Sequence, residues 1–446
     1  MRESLVLWSS DRRGVCQIAA KYYRRLQESS LAKNASWILL GQGVTFLAQA
    51  AYFVILARLL GTLQYGVYVA AAALAAIVAQ YTSFGSGFVF MQHVSKDTEQ
   101  FAVYWGNILI STLGIGSLLS ALLCFLGPRL VGSGTVTLFL LMAVGDCVCQ
   151  QLTNASSQVF QAFDKMRLTV VMNTSISVAR LLAAVIMFAA MRHAAAEQWA
   201  WAALVVSVLA TLGAVITITM NFGKPAFSAK LFAARVHDGF VYSVSGSTTT
   251  VYNDIDKVLL GHFGMTAATA IYGVAYRIVN MSNVPMTSVY TAAFPKFFRL
   301  GAGGMRGTVP FAQKLVKKTS LLGIVSAAVI FVSSPLLPHI IGANYAESAS
   351  ALRWLCLIPF FRSFHLSAGD AIAGAGRQKF RLHSQLIAAG LNFGLNVYLI
   401  PSYSWRGAAW ASLLTDGSLG AMNWIVAIYL LKGELHREIA ISPVNL

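Results

Sequence analysis

The chain has 446 residues, 57% of them hydrophobic and only 11% charged, with a mean hydropathy of +0.65 and a formal net charge of +17. Soluble domains carry about 25% charged residues, so these values exclude a soluble globular protein and describe a polytopic membrane protein. The basic excess contains no dense basic motif or RNA/DNA-binding module; it is the excess expected of cytoplasmic loops, and nucleic acid is not an expected partner.

Residues 1–34 read as a polar, basic tail. Val15, Ile18, Tyr22 and Leu26 share one helical face, with Lys21, Arg24 and Arg25 around them. That pattern suits a short amphipathic helix lying on an anionic leaflet; a poorly ordered tail is the competing expectation. The first apolar segment follows this tail, is long enough to span and lacks a small-residue cleavage site, so it is expected to stay as a membrane helix rather than be removed as a signal peptide. About twelve spans of roughly 20 residues are expected, near 35–58, 67–91, 101–126, 135–160, 168–190, 199–220, 240–262, 271–294, 316–334, 349–373, 382–400 and 405–431. No connection is long enough for an extramembrane domain.

Charge bias supports this count. With the amino terminus inside, the cytoplasmic segments hold the tail cations from Arg2 to Lys33, then Lys96, Lys165, Arg167, Lys224, Lys230 and Arg235. Lys296, Arg299, Arg306, Lys314, Lys317, Lys318, Arg377, Lys379, Arg381, Lys432 and Arg437 complete that face. The opposite face holds only Arg58, Arg129, Arg192 and Arg406. The asymmetry places both termini in the cytoplasm. The five cysteines lie mostly in apolar stretches and show no zinc or disulfide spacing; they read as small hydrophobes in packed helices.

The chain repeats itself. Leu59-Leu60-Gly61 with Tyr65-Gly66-Val67-Tyr68 joins spans one and two, and Leu259-Leu260-Gly261 with Tyr272-Gly273-Val274 joins spans seven and eight. Lys165-Met166-Arg167-Leu168 opens span five and Lys379-Phe380-Arg381-Leu382 opens span eleven. The expected architecture is therefore all-α integral membrane, about 12 transmembrane helices in two pseudo-symmetric six-helix lobes around a central cavity. Parallel repeats about an axis along the membrane normal produce such an arrangement. The division is residues 1–34 as tail, 35–239 as the first lobe and 240–446 as the second.

Five cations fall inside apolar spans: Arg180, Lys257, Arg277, Arg353 and Arg362. A cation at the bilayer centre costs roughly 2.5–3.5 kcal/mol even on the lenient insertion scale, so such residues face water or a partner. Together they point to a cationic path and an anionic cargo. In span seven, Ser243, Ser247, Thr250, Asp254 and Lys257 recur at steps of three and four, and Ser245, Thr249 and Asp256 lie on another side. A helix polar on two sides is buried in protein or lines water. Lys257 is the candidate anion contact, with Asp254 or Asp256 as coupling-cation ligands; a self-satisfied Asp–Lys pair or an outward-snorkelling lysine is the alternative.

Arg180 follows Thr169, Asn173 and Ser177 along span five, and Arg277 opens span eight, which Pro285 should kink. Arg277 reads either as a cavity cation or as an interfacial snorkeller. In span ten, Arg353 and Arg362 would face opposite ways on a straight helix, but Pro359 lies between them. Arg362 is the better cavity candidate of the two, while Arg353 is as readily an interfacial group. His365, one turn after Arg362, reads as a packing residue in preference to a proton carrier. Asp146, Asp370 and Asp416 are the other buried acids. They suit ion coupling, because buried carboxylates exchange protons near neutrality, or they neutralise the arginines. Gln42, Thr45 and Gln49 of span one and Gln385, Asn392 and Asn396 of span eleven suit helix packing. No phosphate-binding glycine loop or metal cluster occurs, so no ATPase, metal or bound cofactor is expected.

Ala57-Arg58-Leu59-Leu60-Gly61 with Tyr65-Gly66-Val67-Tyr68, Asp256-Lys257-Val258-Leu259-Leu260-Gly261 with Tyr276-Arg277, Phe294-Pro295 and Gly376-Arg377-Gln378-Lys379 form a scaffold pattern. Leu391-Asn392 through Leu395-Asn396, Leu399-Ile400-Pro401 and Gly407-Ala408-Ala409-Trp410-Ala411-Ser412 complete it. From Leu31 onward the chain resembles the multidrug/oligosaccharidyl-lipid/polysaccharide flippase superfamily, in its bacterial polysaccharide-transporter (Wzx-type) branch. The resemblance implies a V-shaped two-lobe transporter, not an enzyme, in the bacterial inner membrane. It implies that a polyprenyl-diphosphate-linked oligosaccharide is moved between leaflets by alternating access, driven by counter-transport of protons or sodium. Membrane lipids and a polysaccharide polymerase are the other implied partners. Lys257 and Arg277 match family motif positions; Arg180, Arg353 and Arg362 rest on burial alone. About twelve spans, without an extra pair, count against the peptidoglycan-precursor branch. The alternatives are a small-molecule exporter on the same scaffold, which would need acids to dominate the cavity, and a membrane-embedded polymerase or ligase, which would need a long outer loop.

Overall fold

The computed structural model describes the backbone of residues 3–84, 87, 90, 93, 94 and 97–441; side chains are described within residues 40–436, except 235, 238, 241, 242, 245 and the backbone gaps. The side chains of the expected amphipathic face at Val15–Leu26, the tail cations, Cys16, Lys96, Arg235, Ser245 and Arg437 lie outside the described residues.

Every described element is a helix. In chain order they are α1 (Glu3–Ala79), α2 (Phe101–Val131), α3 (Val136–Ala162), α4 (Met166–Ala190), α5 (Ala196–Phe222), α6 (Ala229–His262) and α7 (Thr266–Ser282). Then follow α8 (Val284–Leu300), α9 (Gly304–Ser333), the short α10 (Leu337–Ile341), α11 (Ala346–Leu355), α12 (Ile358–Gly374), α13 (Gln378–Tyr403) and α14 (Trp405–Ile441). Eight stretches among the described residues are long and apolar enough to cross a membrane. Two of them are 40 and 58 residues long, far beyond one crossing. α7 and α12 have 17 residues each, and α6 carries Asp254, Asp256 and Lys257 within its polar stretch.

The breaks within long apolar stretches follow from single residues. α1 bends at Gly61, whose φ of 64° and ψ of 177° leave the helical region; only glycine takes that conformation without strain. α7 ends at Asn283, and α8 begins with Pro285 in its first turn, where proline's missing N–H costs nothing. Pro359 likewise begins α12, which separates Arg353 on α11 from Arg362 on α12. The straight-helix relation between those two arginines therefore does not apply.

The repeated motifs pack against each other. A Cβ on Gly66 would meet the Thr266 carbonyl oxygen at 1.8 Å, and one on Gly273 would meet Val69 Cγ1 at 2.9 Å. Each Tyr-Gly-Val run thus lets α1 and α7 approach at the other's glycine. Gly261 similarly admits Ala70 and Val131, at 2.8 and 2.9 Å. The largest apolar core lies here, joining Phe53, Leu59 and Tyr65 of α1 to Trp199 of α5, Tyr272 of α7 and Leu352 of α11. Tyr345 donates to the Ala57 carbonyl at 2.9 Å, and Arg58 Nε donates to the Ile340 carbonyl at 2.8 Å. This end of the molecule is closed by packing of α1 against α7, α10 and α11.

Candidate functional site

A cavity of about 320 Å³ lies beneath that closed end, walled by α1, α3, α4, α5, α6 and α7. Its polar lining is built at helical spacing. α7 contributes Gly273, Tyr276, Arg277 and Asn280, at steps of three and four; α6 contributes Asp254 and Lys257 one turn apart. α4 supplies Arg180, and α5 supplies Ser207, whose hydroxyl accepts from Arg180 Nη2 at 3.1 Å. α3 supplies Asp146 from a seven-residue π-helical stretch, Val144–Gln150; such bulges re-aim side chains within a helix.

Of the nine predicted site residues, five line this cavity: Asp146, Arg180, Asp254, Lys257 and Arg277. Three cations face two acids. Lys257 is 7% exposed and heavily committed. Its Nζ lies 2.9 Å from Asp254 Oδ1 and 3.3 Å from Asp256 Oδ1, donates to the Asn253 carbonyl, and sits 4.0 Å from the Tyr276 ring centroid. Asp256 is fully buried behind this wall, where Tyr272 Oη and Ser412 Oγ donate to its carboxylate. Its acceptor capacity goes to holding α6, α7 and α14 together.

The two other cavity cations are uncommitted to acids. Arg277 is exposed to the cavity and makes no hydrogen bond or ion pair among the described residues. Among the described residues Arg180 has only Ser207 as a hydrogen-bond partner, and its Nε has none. Buried or cavity-facing guanidinium N–H groups aimed into a wet space suit a phosphate or carboxylate.

The remaining candidates lie outside the cavity lining. Arg362 donates to Asn253 Oδ1 at 3.0 Å and to Asn280 Oδ1 at 3.3 Å, so it braces the wall from behind. Arg353 donates to Ser334 Oγ at 2.9 Å and stacks on Phe331. Asp416 is buried opposite His365 at 3.7 Å, and Asp370 pairs with Arg381 at 2.9 Å. The amide and hydroxyl stripes of spans one and eleven join helices: Thr45 bonds Thr174 at 2.9 Å, Gln49 bonds Ser177 at 3.4 Å and Asn392 bonds Thr415 at 3.1 Å.

Four tyrosines also line the cavity: Tyr52, Tyr65, Tyr68 and Tyr276. Sequence reasoning noticed Tyr65, Tyr68 and Tyr276 only as motif letters and missed Tyr52. Tyr65 and Tyr68 are three apart within an otherwise alanine-rich helix, which was a usable signal. Aromatic faces with hydroxyl handles are amphipathic surfaces, suited to a ligand with both apolar ring faces and hydroxyls.

The structure is thus an all-helical membrane protein whose cavity is lined by three cations and two acids. The model of the polysaccharide biosynthesis protein family matches residues 31–301, more than half of the chain, and the chain belongs to that family. The MatE family model matches residues 243–398, about a third of the chain.

Solved structures with the same fold include the lipid II flippase MurJ in an inward closed conformation, with a TM-score of 0.72, 15% identity and 87% of each chain covered. An inward-facing multidrug resistance MATE family transporter aligns with a TM-score of 0.62 and 14% identity, over 89% of this chain and 95% of that one. An uncharacterised membrane protein of Methanocaldococcus jannaschii, MJ1068, is 23% identical over 218 residues, 48% of this chain. The chain spans 42% of the length of that curated relative.

Proposed function

We propose that this protein flips a polyprenyl-diphosphate-linked oligosaccharide across the membrane by alternating access, for assembly of a surface or exported polysaccharide. The observation that carries the reading is the pair of guanidinium groups without an ion pair, Arg180 of α4 and Arg277 of α7, lining one cavity. A diphosphate presents several oxygens to two such forks. The four tyrosines offer the sugar its ring faces and hydroxyl partners. Lys257 contributes field but has its nearby acids to satisfy. Asp146 and Asp254 face the cavity as its two acids and set its charge toward the cargo, while a proton or sodium gradient drives the cycle.

In this reading the chain forms two six-helix lobes, residues 35–239 and 240–446, with residues 1–34 as a cytoplasmic tail and about twelve crossings in all. Both termini are cytoplasmic and the membrane is a bacterial inner membrane, as the charge asymmetry favours. A polysaccharide polymerase is the natural consumer of the flipped lipid. The matched family and the fold shared with a lipid II flippase support the lipid-linked cargo. Two cavity acids and the MatE match favour the second reading, an exporter of small organic molecules. A deletion strain separates the two. Loss of surface polymer with unchanged drug susceptibility fits the flippase, and the reverse pattern fits the exporter.

A further inference from the structure

The second half of the bundle contains a polar cluster that the cavity does not use. α12 carries Arg362, His365, Gly369 and Asp370, and α14 carries Asp416 and Asn423 seven residues apart on one face. His365, Asp416 and Asn423 are 6%, 3% and 2% exposed. His365 Nε2 lies 3.7 Å from Asp416 Oδ1, and among the described residues neither atom has a hydrogen-bond partner; Asn423 Oδ1 has none there either, although the Asn423 Nδ2 donates to the His365 carbonyl at 3.1 Å. Buried polar atoms left unpaired are costly and point to a mobile proton, water or ion.

We infer that His365 and Asp416 form an exchangeable proton site within this half of the bundle, linked to the cavity wall through Arg362. The inference rests on the flippase reading, for which it names the ion-binding group. The charges around the pair are accounted for. Arg362 and Arg381 act on His365, Arg362 acts on Asp416, and Tyr252 and Tyr276 lie within reach of Asp416. Arg381 is tied to Asp370 at 2.9 Å. With Arg381 held by Asp370, Asp416 is the acid left for His365 and the more distant Arg362 to share. A gap of 3.7 Å is closed by a proton on Nε2, which turns the pair into a charged hydrogen bond, or by one bridging water.

A proton from water adds to Nε2 or Oδ1, and no other bond forms or breaks. Arg381 Nε and Asn423 Nδ2 converge on Gly369 of α12, 3.2 and 3.4 Å from where a Cβ would stand, one turn from His365. The message outward runs through Arg362, one turn from His365 on the other side. It loses its share of Asp416 when the proton arrives, and it holds Asn253 and the cavity-lining Asn280.

Two measurements on the full-length protein test this. In detergent without ligand, pH-difference infrared spectra should show a carboxyl and an imidazole titrating together, with both signals lost in H365Q and in D416N. Signals unchanged in H365Q would overturn the assignment; H365N is the second variant should H365Q not fold, as judged by gel filtration. In proteoliposomes carrying a fluorescent polyprenyl-diphosphate disaccharide, an imposed pH gradient should raise the wild-type flipping rate about fivefold or more. H365Q should flip at one rate with or without the gradient. A gradient response retained in H365Q, or a sodium response confined to Asp416, would overturn the proton assignment. Wild type that does not flip at all counts against the proposed cargo alone, and the infrared arm still decides the proton site.

Discussion

Lys257 has Asp254 and Asp256 within 3.3 Å, whereas Arg277, on the same wall, reaches no acceptor among the described residues. The two residues match adjacent family motifs but should answer mutation differently. K257A leaves the fully buried Asp256 with an uncompensated charge, a loss of about 3–5 kcal/mol; thermal unfolding in detergent should show a large drop in melting temperature and poor yield. R180Q and R277Q break no ion pair within 4 Å, and R180Q can keep a donor for Ser207, so the double variant should lose far less stability than K257A and lose polyprenyl-diphosphate binding about 100-fold or more, as for two charge-assisted contacts of about 1.5–3 kcal/mol each. The cavity cations were legible in sequence because charge inside apolar runs is conspicuous. Which of them are spent was not legible, because that depends on Asn253, Ser207 and Ser334 arriving from elsewhere. His365 read as a packing residue, and its 3.7 Å gap to Asp416 could not be seen in the sequence because it depends on how α12 meets α14.

At the scale of elements, the breaks were readable where proline or glycine forces them. Pro285 and Pro359 stand where α8 and α12 begin, and the Leu-Leu-Gly run places the bend of α1 at Gly61. The π stretch that presents Asp146 is less legible: Val144–Gln150 contains no proline, and its one glycine, Gly145, does not take a positive φ as Gly61 does. The close approach of α1 to α7 depends on Gly66, where a methyl group would overlap the Thr266 carbonyl. G66A should therefore part the two halves at the closed end, at a cost of about 1–3 kcal/mol for overpacking. Spin labels at Leu63 and Ala343 would report it. A longer distance in G66A than in wild type is expected, and superimposable distributions would show that this seam is not what holds the end closed.

For the molecule as a whole, composition and charge bias were enough for an all-helical membrane protein, and the motif pattern for its family. The number of crossings was harder, because α6, α7 and α12 lack the apolar length of an isolated span and are stabilised by burial among their neighbours. The internal repeat proved informative in packing terms: each Tyr-Gly-Val glycine receives the opposite half. Cargo is the property that scaffold motifs leave open, and the central claim is that Arg180 and Arg277 together hold a diphosphate while the lipid tail stays in the bilayer. The direct measurement is leaflet exchange of a fluorescent polyprenyl-diphosphate oligosaccharide in proteoliposomes, compared between wild type and R180Q/R277Q at equal reconstituted protein. Exchange by wild type at least tenfold above empty vesicles, and exchange by the double variant near that background, is the predicted result. Equal exchange by both proteins would contradict the claim.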